Sequence, residues 1–393
     1  MDAIIVVNAG SSSIKFSVYS VEKKELKCHY KGSITNIINE PHLIIKTETG
    51  KEEISKKIAK SDDNYRAAIH SILEWIKTTK FKLIAAGHRI VHGGPFKDSV
   101  VIDDNVIRTL TSLIPFSPLH QPYNLKGVSI FQKEYPSLFQ TATFDSAFHS
   151  TCDKISQSYA LPKSLTEKGI RRYGFHGLSY EYIATQLPKY FKDQANGKIV
   201  VAHLGGGATL CAIENLKSKA TSIGLTSMGG LPMATRCGDV DPYLAVYLVD
   251  EGWSTKKITD LFYKESGLLG VSEISSDMKE LLESNDPKAK LAVDIFIHRV
   301  SLFTGSLAAE MQGIEGFVFT GGIGENSYKA REMIADKIAW LGFDLDKKVN
   351  KEMKKGVKEI STKKSKYPIW VIPTDEEIMI VKHTYELFKK GQL

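Results

Sequence analysis

Cysteine is scarce in this chain of 393 residues: Cys28, Cys152, Cys211 and Cys237 are scattered and form no CxxC pair. That usage excludes a disulfide scaffold and a paired-cysteine zinc module, and it predicts free thiols in a reducing cytoplasm. Long apolar runs are missing as well, so no membrane span and no membrane partner are expected. The opening residues MDAIIVVNAG lack a basic start, an extended apolar core and a small-residue cleavage site, so no secretory leader is expected. Neither GxxxxGK followed by Ser or Thr nor a complete GxGxxG occurs, which argues against a P-loop and against a dinucleotide fingerprint.

Hydrophobic residues make up 42% and charged residues 25%, the mix of a globular protein, and the length allows two or three domains. The net charge of +7 invites a nucleic-acid reading, but its location argues against one. Residues 347–366 hold nine Lys and two Glu, which alone supply the whole excess. Their spacing is that of the wet face of a helix, with no aromatic interleaved, so no nucleic-acid partner is expected.

Short β-rich runs alternate with helical stretches, the pattern of an α/β protein. Strands are predicted at 3–7, 15–19, 83–90, 141–144, 198–203, 209–214, 316–319 and 370–373. Helices are predicted at 63–78, 179–191, 243–251, 275–284, 289–312, 329–338 and 376–390. The 289–312 stretch keeps apolar residues near 3.6 spacing, which suits a central, largely buried helix and a possible interface element. An internal echo links VVNAGSSSIKFSVY to VVAHLGGGATLCAIE: with Gly10 opposite Gly205, Asn8 falls opposite His203. Two hairpins of one design suggest a duplicated domain with both loops facing a shared cleft.

Three small-residue loops follow apolar strands, at 8–13, 203–207 and 321–326, and such loops let backbone N–H groups converge on anions. Lys15 follows the first loop, on the strand face opposite Ile14, Phe16 and Val18. A second set of segments carries charge where core strands avoid it: His88, Arg89 and His92 in GHRIVHGG, Asp145 and His149 in FDSAFHS, and His176 ahead of a helix for which Ser179 is a plausible cap. GLPMATRCGDVDP adds Arg236, Asp239 and Asp241, and IPTDEEIMI adds Asp375, Glu376 and Glu377. Singly, each has a structural explanation; His88 and His92 read as strand and turn, and His149 with Cys152 is only half of a zinc pattern. Two arginines, a histidine, carboxylates and three glycine loops together fit phosphoryl transfer, which is mainly positioning and charge neutralisation.

In order along the chain, NAGSSSIKF, GHRIVHGG, PLHQPYNL, FDSAFH, RRYGFHGLS, HLGGGA, GLPMATRCGDVDP, FTGGIGENS and IPTDEEIMI resemble the acetate and propionate kinase family from residue 3 to about residue 384. The resemblance implies a duplicated, two-lobed α/β fold of the actin/hexokinase (ribonuclease H-like) kind, shared with the heat-shock chaperone ATPases, with a nucleotide cleft between lobes. It implies lobes of 1–148 plus 378–393 for substrate and phosphate, and 149–377 for nucleotide. The implied reaction is reversible, magnesium-dependent transfer of the ATP γ-phosphoryl group to a short-chain carboxylate, giving ADP and an acyl phosphate. By the same resemblance, Asn8 and Glu376 help hold Mg²⁺ (Mn²⁺ is an alternative), partly through water, and Lys15 lies near the nucleotide phosphates. Arg89 holds the carboxylate, with Val91, Leu119 and Phe175 around its alkyl tail, and Asp145 is the polar catalytic residue beside it. His176 and Arg236 meet the phosphoryl group in flight. His203, Leu204, Gly205, Gly206 and Gly207, with Asp277, Met278, Lys279, Gly322, Ile323, Gly324, Glu325 and Asn326, surround ATP. The resemblance also implies a homodimer through the second lobe, with 289–312 as the candidate contributor.

Several positions depart from the family pattern. Gly206 stands for the asparagine of HLGNG, Ser227 for a pocket-side proline, Lys279 for arginine and Gln121 for asparagine. GLSYEY replaces the commoner GTSHKY, with Leu178 and Tyr180 expected to flank the helix start rather than the chemistry. Acetate is the expected acceptor and propionate the alternative, since one methylene in an apolar pocket is worth only ~1–3 kcal/mol. A non-catalytic nucleotide clamp of the same fold is the rival from another class.

Overall fold

Ile4, Ile5, Val6 and Val7 are all buried, a run that only a strand covered on both faces can hide. They lie in β1 (Asp2–Ala9), near the middle of an eight-stranded sheet. The computed structural model of the chain describes residues 1–22 and 25–392. The chain divides into two compact units, Met1–Ala147 with Asp375–Leu393, and Phe148–Thr374.

The first unit contains β2 (Ile14–Glu22), β3 (Glu25–Thr35), β4 (His42–Thr47), β5 (Glu52–Lys57), β6 (Lys82–Ile90), β7 (Val100–Val101) and β8 (Phe139–Phe144) in the order β5-β4-β3-β2-β1-β6-β8-β7. The second unit has β9 (Ile199–Leu204), β10 (Ala208–Glu214), β11 (Lys217–Thr221), β12 (Gly316–Thr320), β13 (Lys358–Glu359) and β14 (Ile369–Val371) in the order β11-β10-β9-β12-β14-β13. The two centres share one topology. β1 pairs antiparallel with β2 and parallel with β6, which pairs parallel with β8. β9 pairs antiparallel with β10 and parallel with β12, which pairs parallel with β14. The hairpin echo in the sequence is therefore a repeated fold, with Asn8 opposite Lys15 in one hairpin and His203 opposite Thr209 in the other.

Parallel strands end at the same sheet edge, and ligands of open α/β sheets gather there. Asn8, Arg89 and Asp145 sit at or just past the ends of β1, β6 and β8; His203 and Gly321 hold the corresponding places at β9 and β12.

Several expectations need correction. Strands β3 to β5 and the helices Asp104–Ser112, Gln121–Glu134 and Thr255–Lys264 were not foreseen; β5 is almost wholly polar, whereas the helices do carry apolar residues at helical spacing, such as Val106 and Leu110 or Ile258 and Phe262, a signal the sequence reading missed. Residues 321–326 form a one-and-a-half-turn helix rather than a loop. The helix after His176 starts at Gly177, so Ser179 lies inside its first turn and is not its cap. Only Lys347–Glu352 of the lysine-rich stretch is helical, and Gly356 at φ +113° turns the chain beyond it. Pro287–Glu310 is long and apolar enough to cross a membrane by length and composition, against the expectation for this chain. Its buried stripe, including Val293, Phe296, Val300 and Leu307, packs in the second unit, while Leu291 and Leu302 are exposed, so it is one-sided rather than largely buried.

Candidate active site

In the first unit Arg89 is gripped by carboxylates. Its Nε donates to Asp145 Oδ1 at 2.8 Å and its Nη2 to Oδ2 at 2.6 Å, a bidentate fork. Nη1 donates to Asn8 Oδ1 at 3.3 Å, and Glu376 Oε2 stands 3.8 Å from Nε. Burial opposes the charge, but Asp145 and Glu376 outweigh it and hold the guanidinium above its ordinary range. Of the three consecutive acids, Asp375 caps the helix Glu376–Gly391 through Ile378 N–H and also lies 3.9 Å from Lys31 Nζ, Glu377 pairs with Lys31 at 3.4 Å, and Glu376 is left for Arg89.

Two residues that sequence reasoning missed hold these strand ends. Asn124, buried, donates from Nδ2 to Ala9 O at 2.6 Å and accepts Val91 N–H at 3.0 Å. Gln121, buried, accepts His92 N–H at 3.2 Å and returns a bond to His92 O at 3.0 Å, as a neighbouring strand would. The PLHQPYNL motif therefore acts through its amides. Val91 is buried and Leu119 half-buried, while Lys15 is exposed.

In the second unit His176 adopts the left-handed conformation (φ 57°, ψ 24°) at the N-terminus of Gly177–Phe191. Its ring stacks on His203 with centroids 4.3 Å apart, and His203 Nδ1 shares a 2.8 Å bond with Ser179 Oγ. A Cβ at Gly207 would lie 3.1 Å from His176 Nε2 and 4.0 Å from Arg236 Nη1, so these groups surround one glycine. Arg236 donates to Ser227 O at 2.8 Å and approaches Met233 Sδ at 3.4 Å. Among the described residues no carboxylate pairs with it, and burial lowers its pKa. Asp239 and Asp241, its sequence neighbours, accept backbone N–H groups of Gly230 and Tyr243 instead. Phe175 is buried, and its carbonyl accepts from His149 Nε2 at 3.0 Å.

Beside this cluster, within the second unit, is a pocket of about 530 Å³. Gly205, Gly206, Asp277, Met278, Lys279, Gly322, Ile323 and Asn326 line it, as expected, joined by Ala234, Ser276, Leu282, Glu283, Ser327, Tyr328 and Lys329. Leu204 and Gly324 are buried behind it. Glu325 is turned to its own turn, accepting the N–H groups of Gly321 and Thr374. Gly321 has φ +76° and a Cβ there would lie 2.8 Å from Leu204 O, so only glycine fits. Arg331, buried and without a carboxylate partner among the described residues, donates to the carbonyls of Gly324 and Glu325 and to Asn350. It thereby satisfies the open end of that short helix and keeps a positive charge behind it.

Tyr180 also corrects the sequence reading. It lies in the first turn of the helix, as expected, but it is wholly buried and linked to the site: its hydroxyl lies 2.5 Å from Thr209 Oγ1, which is itself 2.9 Å from His176 Nδ1.

An arginine kept without a counter-ion costs stability unless an anion completes it. Glycine amides and Lys279 along the neighbouring pocket suit polyphosphate, and together these features define a phosphotransferase on a two-sheet α/β scaffold. The chain belongs to the acetokinase family, whose profile matches residues 3–382. It is 45% identical to the acetate kinase of Nitrobacter hamburgensis, covering 98% of this chain and 96% of that one. An acetate kinase of Rhodopseudomonas palustris is 42% identical over the full length of both. Among solved structures it is similar to the Francisella tularensis propionate kinase (TM-score 0.90, 37% identity, 98% and 100% of the two chains). It is likewise similar to the Porphyromonas gingivalis acetate kinase (TM-score 0.86, 36% identity, 98% and 99%).

Proposed function

We propose that the chain transfers the γ-phosphoryl group of ATP directly to acetate, giving acetyl phosphate and ADP, and runs the reverse reaction as well. The observation that carries this reading is Arg236, half-buried without a carboxylate partner among the described residues, beside His176 and a glycine-walled pocket. A carboxylate is already ionised at neutral pH and needs no general base. One of its oxygens forms the new O–P bond as the bond from the γ-phosphorus to the β,γ-bridging oxygen breaks, and the electron pair leaves on ADP. The obstacle is the approach of two anions.

Arg89, fixed by Asp145, holds the acid's carboxylate, and Val91, Leu119 and Phe175 receive its alkyl tail. Arg236 and His176 bind the equatorial oxygens of the moving phosphoryl group, and Lys15 adds charge at the polyphosphate. The pocket of Gly205, Gly206, Asp277, Met278, Lys279, Gly322, Ile323 and Asn326 takes the nucleotide, with His203, Leu204, Gly207, Gly324 and Glu325 shaping its wall. Asn8 and Glu376 each bring an oxygen to Arg89, the donor type that a hard divalent cation completed by phosphates and water takes. Mg²⁺ or Mn²⁺ held there would neutralise phosphate charge.

Propionate is a second acceptor, favoured by the likeness to the Francisella tularensis propionate kinase. We also assign a homodimer. The helix Tyr243–Asp250 has no buried residue and exposes Tyr243, Val246, Tyr247 and Val249, an apolar face suited to a second copy. Leu291 and Leu302 on Pro287–Glu310 add to the exposed apolar surface, and a light-scattering mass of two chains is expected. The free cysteines suit a cytoplasmic enzyme.

Hydroxylamine trapping of the acyl phosphate, with ATP, Mg²⁺ and acetate, propionate or butyrate in parallel, tests the assignment. Acetate is expected to lead by kcat/KM with propionate next. Bound ATP without hydroxamate from any acid would replace this reading with a nucleotide clamp.

A further inference from the structure

We propose that Tyr180 is a positioning residue that sets, through Thr209, the tautomer of His176, leaving Nδ1 as acceptor and Nε2 as the N–H donor toward the Gly207 side. The inference rests on three buried groups in a row. Tyr180 and Thr209 are both wholly buried, with 2.5 Å between their oxygens, and Thr209 Oγ1 is 2.9 Å from His176 Nδ1. Among the described residues these are the only two hydrogen-bond partners of the Thr209 hydroxyl.

A buried hydroxyl uses its proton, so Thr209 donates either to the Tyr180 oxygen or to His176 Nδ1. Acidity separates the two cases. A phenol is a far stronger acid than an aliphatic alcohol, and the alcohol oxygen is the better acceptor, so the short bond runs from Tyr180 O–H to Thr209. Thr209 then has its own proton for His176, whose Nδ1 must accept it. Neutral imidazole carries one N–H, and with Nδ1 accepting, that proton sits on Nε2. The ring is stacked on His203 at 4.3 Å, an arrangement that disfavours charging both.

Nε2 is the nitrogen 3.1 Å from where a Gly207 Cβ would be, on the side shared with Arg236. An N–H there donates to an anionic oxygen, whereas a bare nitrogen would repel it. Because the family pattern has histidine where this chain has Tyr180, the relay is a solution of this sequence. It deepens the proposed function and depends on it only for its effect on rate.

The test is ¹⁵N-histidine NMR of the full-length protein, with His176 assigned by His176→Gln, followed by hydroxamate kinetics on variants. Wild type should show the Nε2–H tautomer. Tyr180→Phe should mix the two tautomers and lower kcat about 10-fold, with KM for acetate changed less than about 2-fold, in line with losing a group that orients a functional histidine. Thr209→Val should do the same and Thr209→Ser should restore both readouts, which keeps the test available if Tyr180→Phe folds poorly. An Nδ1–H tautomer in wild type, or an unchanged tautomer in both Tyr180→Phe and Thr209→Val, overturns the relay. A shifted tautomer with unchanged kcat supports the relay and overturns instead the role given to His176.

Discussion

The two units hold their arginines in opposite ways. Arg89 is compensated in charge: Asp145 takes two of its five N–H groups, Asn8 a third, and Glu376 stands near. Arg236 has a carbonyl and a thioether, and burial pulls its pKa down. The difference separates two tasks. A guanidinium already tied to a carboxylate is fixed in direction and can orient a weakly charged acid without drifting. One kept without a counter-ion retains its full attraction for a highly charged group, which suits phosphoryl oxygens.

The largest effects should expose that contrast. Arg236→Ala is expected to lower kcat by about 10²–10³ while costing less than about 1 kcal/mol of stability, because the lost bond to Ser227 O is offset by no longer desolvating a charge without a counter-ion. Arg89→Ala should lower activity by a similar factor but also destabilise the fold by about 3–5 kcal/mol, since buried Asp145 loses the guanidinium fork that compensates its charge. Hydroxamate rates and urea midpoints on both variants decide the matter, and equal midpoints would erase the distinction.

Next in size comes acid sensitivity, to which each unit contributes a fully buried neutral histidine. His88, bonded to Gln140, and His149, bonded to Ser218 and Phe175, are both pushed down to about 4 by burial. Unfolded histidine takes its proton near 6.5, so stability present above that pH is lost as pH falls toward 4, by up to roughly 3 kcal/mol per residue. His149→Asn should flatten that limb by one histidine's share in urea midpoints measured from pH 7 to 4.5. An unaltered slope would mean that carboxylates, not this histidine, set the acid limb.

Smaller still, Gly321→Ala forces a side chain into φ +76° against Leu204 O, and should cost about 1–3 kcal/mol and raise KM for ATP. A wild-type KM would show that the turn does not shape the nucleotide pocket. Smallest is Gly206→Asn, which restores the family residue. A Cβ there meets nothing within 4 Å, so stability should stay within about 0.5 kcal/mol, and a larger loss would contradict the open space at that position.

Legibility followed chemistry rather than burial. The runs IIVV and IVVA announced the central strands because nothing but an apolar two-faced strand tolerates them, and the hairpin echo announced a repeat that the matching strand orders realise. Arg89, His176 and Arg236 stood out because charged residues are rare at strand ends and in small-residue loops. Asn124 and Arg331 did not, and Gln121 stood out only as a departure without a role, since an amide or arginine inside an ordinary helix has the spacing of a surface residue until its partners are known. Tyr180 was misjudged for the same reason: position in a helix says nothing about whom a hydroxyl meets across a sheet.

What the sequence by itself determined was the alternation of strands and helices, the duplicated hairpin and the family with its chemistry, because apolar periodicity and small-residue loops are local properties of the chain. Tertiary structure alone decided which acid serves Arg89 and which caps a helix, why Arg236 is left without one, and which nitrogen of His176 faces Thr209. Those outcomes depend on distances of a few ångströms between residues tens to hundreds of positions apart, and no local pattern encodes them.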